Sequence, residues 1–160
     1  MIAGQYNLNS SDGTTPQFSV GIEMETKGSC YKYLLAGGTI AQYAVCTLSN
    51  IHTAVEGTTA LSGAKPTLFA IPQFAVANGE YFWAPVGPFG PFRSDGSTTF
   101  KVKAAASCVL DVKLYTTITD GVVDDSATDL ITGLLLTATI TSAAAANCIS
   151  VCRMVSNAQD

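Results

Sequence analysis

Apolar and polar residues alternate with a period of two in several separate stretches of this chain. Phe18, Val20, Ile22 and Met24 alternate with Ser19, Gly21, Glu23 and Glu25. The beat returns where Phe100, Val102 and Ala104 alternate with Thr99, Lys101 and Lys103. Cys108, Leu110, Val112 and Leu114 then face away from Asp111 and Lys113. Near the end, Ile149, Val151, Arg153 and Val155 alternate with Cys148, Ser150, Cys152 and Met154, and both sets are largely apolar. Successive strand side chains point to opposite faces, so each stretch predicts a β-strand. Apolar and β-branched runs predict further strands at 31–35, 43–48, 67–74, 81–86 and 131–139.

Turn chemistry separates these runs: Gly37-Gly38, Asn78-Gly79, Asp95-Gly96 and Asp120-Gly121. Asn-Gly and Asp-Gly readily take the positive φ of a tight hairpin. No helical periodicity persists for ten residues; the alanines at 143–146 have helix propensity but no apolar stripe to dock. Residues 1–16, rich in Asn, Ser, Gly and Asp, predict an extended N-terminal arm. The pattern therefore predicts an all-β chain: one β-sandwich or tulip-like β-barrel domain over 17–160, preceded by that arm.

Two segments do not fit plain strands. At 87–92, Gly-Pro-Phe-Gly-Pro-Phe carries two prolines that resist regular pairing and two rings, Phe89 and Phe92, that need cover. They either cap one end of the core or form an apolar tip for a partner. At 81–83, Tyr81, Phe82 and Trp83 are consecutive. Neighbouring strand residues face opposite ways, so both faces of that strand must be covered. One face suits the core and the other a subunit interface, where Trp and Tyr are favoured anchors. Tyr81, Phe82, Trp83, Phe89 and Phe92 are the candidate interface residues.

Composition sharpens this picture. Hydrophobic residues make up 48% of the chain and charged residues 12%, against about 25% in an average soluble domain. So little charge points to a surface partly buried against other copies or a partner. Twelve acids against eight bases, with no basic cluster, argue against nucleic-acid binding. The most apolar stretch, 130–140, is interrupted by Thr132, Gly133, Thr137 and Thr139, and is far shorter than the roughly 20 residues of a spanning helix. The opening Met1-Ile2-Ala3-Gly4-Gln5 lacks the basic and apolar regions of a secretory signal, so a reducing cytoplasm is expected. Five cysteines, at 30, 46, 108, 148 and 152, then read as small apolar core residues rather than a disulfide framework.

Candidate chemistry is sparse. His52 is the only histidine, and without a Gly-x-Ser-x-Gly elbow it forms no recognisable triad; its neighbours read as a solvated loop. Cys148 and Cys152 would stand roughly 13 Å apart along one strand, too far to share a metal. Asp124-Asp125, with Asp120 and Asp129 nearby, lacks the glycine and glutamate spacing of an EF-hand and reads as a turn capped by Ser126. No catalytic residue, metal or cofactor is expected, and no enzyme activity.

Three blocks carry a resemblance to a known family. The first is residues 30–45, CYKYLLAGGTIAQYAV; the second is Phe69-Ala70-Ile71-Pro72-Gln73, followed by Asn78-Gly79-Glu80-Tyr81-Phe82-Trp83. The third is residues 114–125, LYTTITDGVVDD, leading to Ile131-Thr132-Gly133-Leu134. In this order they resemble the small β-rich head decoration, or capsid cement, proteins of bacteriophages. The resemblance implies a cofactor-free, commonly homotrimeric subunit on the outer surface of a virion, assembled in the host cytoplasm and bridging major capsid protein subunits. Residues 1–16 would add a strand to a neighbour's sheet edge. The alternative is a tail, fibre or adhesin module that binds a host glycan by stacking on Trp83; a third reading, a small hydrolase built on His52 or the 120–129 loop, is the weakest.

Overall fold

The computed structural model describes residues 6–62, 67–93, 96, 98–126 and 129–156. The chain is almost entirely β. In order the strands are β1 (Glu23–Thr26), β2 (Ser29–Ala36), β3 (Cys46–Leu48), β4 (Thr53–Glu56), β5 (Leu68–Ala70) and β6 (Tyr81–Pro85). They continue with β7 (Lys101–Ala104), β8 (Leu114–Thr116), β9 (Val123–Asp124), β10 (Asp129–Leu136) and β11 (Ala144–Ser156). A four-residue helix, α1 (Thr59–Ser62), interrupts them.

Five strands close on themselves. β11 pairs with β10, β10 with β8, β8 with β9, β9 with β7, and β7 returns to β11. The seam is thin: β9 meets β7 at Ala104 and Val123, and the Ala105 N–H donates to the Val123 carbonyl at 2.8 Å. A barrel this small is filled by its own side chains. Val102, Leu114, Val123, Ile131, Leu134, Leu136 and Cys148, none more than 1% exposed, supply the filling.

A second sheet runs β1-β2-β4-β3-β5 and joins β11 at the Leu68–Val155 pair, with β6 on the other side of β2. Both of its faces are covered. Along β2, Tyr31 and Tyr33 enter the core shared with the barrel, while Leu34 and Ala36 enter a second core with Ile40, Cys46 and Phe82. Period-2 geometry makes one strand serve both.

β10 and β11 do not pair evenly. Thr132 faces Val155 and Leu134 faces Ser150, so Gly133 alone spans what residues 151–154 span opposite. Gly133 has φ +85, and a Cβ there would collide with the Cys152 sulfur. The bulged stretch of β11 bonds to residues 86–89 instead: Ser150 and Phe89 exchange both backbone bonds, and the Met154 N–H donates to the Val86 carbonyl. Val151 is pushed outward to 65% exposure.

Several elements differ from the sequence expectation. The alternating run 18–24 yields a strand only from Glu23, because Gly21 turns the chain at φ +90 and the Ile22 N–H bonds to the Ser19 carbonyl. In the 108–114 run only Leu114 is in a strand; Ser107 and Asp111 take positive φ and turn the chain. The 144–146 alanines are strand, tied to β7 by the Ala146–Val102 and Ala144–Ala104 pairs. β4 and β9 had no strand signal of their own. Of the Asp95-Gly96 turn, Asp95 lies outside the described residues, as do residues 1–5 of the expected arm.

One buried charge sits in this frame. Lys32 on β2 is 5% exposed, and its Nζ donates to Glu23 Oε1 at 2.9 Å from the directly opposed position on β1. Arg153 grips both oxygens of the same carboxylate. Burial pushes the Glu23 carboxyl upward, but the Lys32 bond and charge, with Arg153, outweigh it and hold the group below its ordinary value. A depressed folded-state pKa contributes stability above the unfolded value of 4.5, and that contribution is lost as pH falls through the lower folded value. Glu23→Gln strands the Lys32 ammonium and is expected to cost about 1–3 kcal/mol at pH 7. Solvent around Glu23 moderates the effect. Urea midpoints at pH 7 and pH 3 check both points: the variant loses stability at pH 7 and shows a shallower acid limb than the parent.

Candidate functional site

The five aromatic residues expected at an interface separate into two groups. Phe82 and Trp83 on β6 are 0% and 1% exposed, and Phe89 is 2% exposed with its ring 4.4 Å from that of Phe100. Both faces of β6 are thus covered by this chain's own cores, Phe82 in one and Trp83 in the other. That corrects the expectation for these three rings, which a partner cannot reach in the folded subunit. Tyr81 is half-buried, and Phe92 alone stands out at 55% exposure. In the 87–92 segment Phe89 is packed into the core while Phe92 points outward.

Residues 6–18 explain the cover over Trp83. Tyr6 and Phe18 stack on each other, and both rings lie 5.4 Å from that of Trp83. The segment is pinned by backbone bonds with β6: Asp12 donates to the Tyr81 carbonyl, and Tyr81 donates to the Gly13 carbonyl. The Tyr33 hydroxyl donates to Asp12 Oδ2 at 2.8 Å, and Arg93 donates to the Leu8 carbonyl at 2.9 Å. Burial, aided by the Asp12 charge, pushes the Tyr33 hydroxyl up to about 12. That hydroxyl stays protonated and serves as a strut. Sequence reasoning missed this packing because nothing local shows where residues 6–18 will lie.

The titratable candidates also fall into place. His52 occupies the turn before β4 at φ +62, half-buried, with its ring over Gly21, where even a Cβ would clash with it. It is more enclosed than a solvated loop residue. Cys46, Cys108 and Cys148 are core residues as expected, whereas Cys30 is half-buried and Cys152 is exposed on the β11 bulge. Burial pushes the Cys46 and Cys148 thiols far up, so neither forms a thiolate in the folded protein.

Asp124 and Asp125 meet a residue that spacing did not suggest, Cys108, and their ligand atoms lie within 4.8 Å of one another. Both carboxylates are already engaged: the Val109 N–H donates to Asp125 Oδ2 and the Asp125 N–H donates to Asp124 Oδ1, each at 2.8 Å. Burial first, then the two aspartates, push the Cys108 thiol up to about 11. A sulfur is a poor partner for calcium. The group ties the 107–112 turn to β9.

A groove lies where the thin barrel seam meets the loop before β3. It encloses about 340 Å³ and is lined by Tyr43, Lys103, Val122 and the alanines at 143–145. Tyr43, at φ +66, accepts from the Lys103 N–H at 2.8 Å, and the Lys101 ammonium sits 5.9 Å over its ring. Neither lysine has a carboxylate partner among the described residues. No described helix is long and apolar enough to cross a membrane. Compared with known protein families, curated proteins and solved structures, the chain matches none of them.

Proposed function

We propose that this chain is a structural virion protein, a cement subunit on the outside of a bacteriophage capsid that bridges major capsid protein subunits as a homotrimer. The observation that carries the reading is the placement of its exposed large hydrophobics. Ile51, Phe92, Ile118 and Val151 are 71%, 55%, 91% and 65% exposed, each on a different turn or bulge. A single-ligand binder gathers such residues into one concave pocket. Dispersed tips on a weakly charged surface instead suit several modest contacts with several subunits, which add as avidity. The three sequence blocks that resemble cement proteins support the same reading. Packaged DNA pushes a shell outward, and a rigid, filled barrel touching several subunits resists their separation.

Asp12 and Gly13 bond to Tyr81 of their own β6, so lending this part of the expected arm to a neighbour's sheet edge requires it to detach. The glycan-binding alternative loses its stacking platform, since Trp83 is buried.

The test is the copy number of this 16.6 kDa chain in purified particles of the virus that encodes it, measured against the major capsid protein by quantitative mass spectrometry. A ratio near one to one is expected. A handful of copies would move the chain to the tail or a vertex, and absence from the particle would end the capsid reading.

A further inference from the structure

The groove beside the barrel seam and the turn next to it have complementary chemistry. The turn between β8 and β9 carries Ile118, the most exposed large hydrophobic residue described, at 91%, and Asp120, also exposed, two residues on. It is not a loose loop. Thr117 Oγ1 donates toward the Thr119 and Val122 carbonyls and accepts from the Thr119 N–H, each at 3.1 Å. The Thr59 N–H donates to the Thr117 carbonyl and the Gly121 N–H to the Gly57 carbonyl, both at 2.9 Å. Ile118 is thus an apolar knob held in place before any partner arrives, which lowers the entropy lost on binding.

The groove is the matching socket. Its volume of about 340 Å³ is lined by Tyr43, Val122, Ala104 and the alanines at 143–145, with Gln42 and Lys103 at its side and Lys101 over the Tyr43 ring. In a chain of net charge −4, two neighbouring lysines without carboxylate partners among the described residues form a local cationic spot. Apolar walls with a cationic side want an apolar group next to an acid, which is what Ile118 and Asp120 offer. Val122 lines the groove only four residues from Ile118, so knob and socket share one region of the surface. Two copies brought together there can each seat a knob in the other's socket, and around a closed ring each copy can seat its knob in the next.

We infer that the groove of one copy binds the 118–120 tip of a second copy of this chain, with Ile118 filling the apolar socket and Asp120 pairing with Lys103. The inference gives the self-association of the cement reading a surface, and the two fail separately. A chain absent from virions can still associate through this contact, and a capsid-bound chain can lack it.

The experiment is sedimentation equilibrium of the full chain from about 1 to 100 µM. The parent is expected to form a dimer or trimer. Ile118→Ser and Lys103→Glu are each expected to weaken association at least about tenfold, the effect of losing one buried aliphatic side chain or of opposing two like charges. Ile118 and Asp120 are exposed, so the folding of variants there is not at stake. Ile51→Ser removes a hydrophobe from a different turn and is expected to leave association unchanged. Combining Lys103→Glu with Asp120→Lys is expected to restore it. A parent chain monomeric at 100 µM overturns the inference, and so does an assembly that survives Ile118→Ser. Failure of the double exchange to restore association overturns the pairing of tip with groove.

Discussion

Replacing Trp83 by alanine is expected to lower stability by about 3–5 kcal/mol, the range for emptying a large aromatic site in a core. For a chain of this length that is a fall of roughly 6–20 °C in Tm, and a large share of the stability of an ordinary domain. The reason is position as well as size. Trp83 is 1% exposed and meets the rings of Tyr6, Phe18 and Tyr33 at 5.1 to 5.4 Å. Alanine leaves a cavity among rings that cannot collapse into it, because Tyr33 is held by Asp12 and Gln17 and β6 is paired along its length with β2. The indole Nε1 has no hydrogen-bond partner among the described residues, so its loss adds no polar penalty there. Trp83→Phe therefore serves as the control and is expected to cost less than about 1.5 kcal/mol. Urea unfolding followed by far-ultraviolet circular dichroism measures both. Because Tyr6 and Phe18 rest on this ring, Trp83→Ala is also expected to speed chymotryptic cleavage at Phe18 in the folded protein. Equal costs for the two variants would mean that the indole makes a polar contact the geometry lacks.

Gly87→Ala is expected to cost about 2–5 kcal/mol, and its origin can be separated into two parts. Gly87 has φ +78, a region that costs an L-residue about 1–2 kcal/mol. A Cβ there would also run into the Cys152 carbonyl oxygen and approach Ser150 Oγ to 2.5 Å. These groups belong to the β11 bulge, where Ser150 Oγ itself donates to the Cys152 carbonyl at 2.6 Å. Relief therefore requires moving backbone that is hydrogen-bonded to residues 86 and 89, an overpacking cost of about 1–3 kcal/mol. Gly28→Ala isolates the first part, since Gly28 has nearly the same φ, +75, with nothing within 4 Å of an added Cβ. The difference between the two variants in urea midpoint measures the close approach of the two chain segments. If Gly28→Ala proves as damaging as Gly87→Ala, the bulge is not the constraint described above.

Much of the fold was legible in the sequence, and the legible parts share a cause. β2, β6, β7 and β10 lie where the apolar runs predict them, because a strand buried on one or both faces writes its burial into consecutive residues. The Asn78-Gly79 turn is legible for a different reason: Gly79 takes φ +79, which few residues tolerate. For the surface, Phe92 and the low charge were visible, but not which of the expected aromatic residues would stay exposed.

The rest depended on contacts between residues distant in the chain. The alternation at 18–24 and 108–114 promised strands, yet positive φ at Gly21, Ser107 and Asp111 turned the chain away. Cys152 had the alternation of a core residue but was pushed outward when Gly133 set a bulge in the opposing strand. Trp83 looked like an interface anchor until residues 6–18 folded over it. Cys108 joined Asp124 and Asp125 only because the β7–β9 seam closed a barrel. By itself the sequence determined the class of the fold, its principal strands and the scarcity of charge, since these are sums over local preferences and burial. Which strands close the barrel, which rings are covered and where a socket opens beside a knob were decided by tertiary structure alone, because each depends on pairings between residues tens of positions apart.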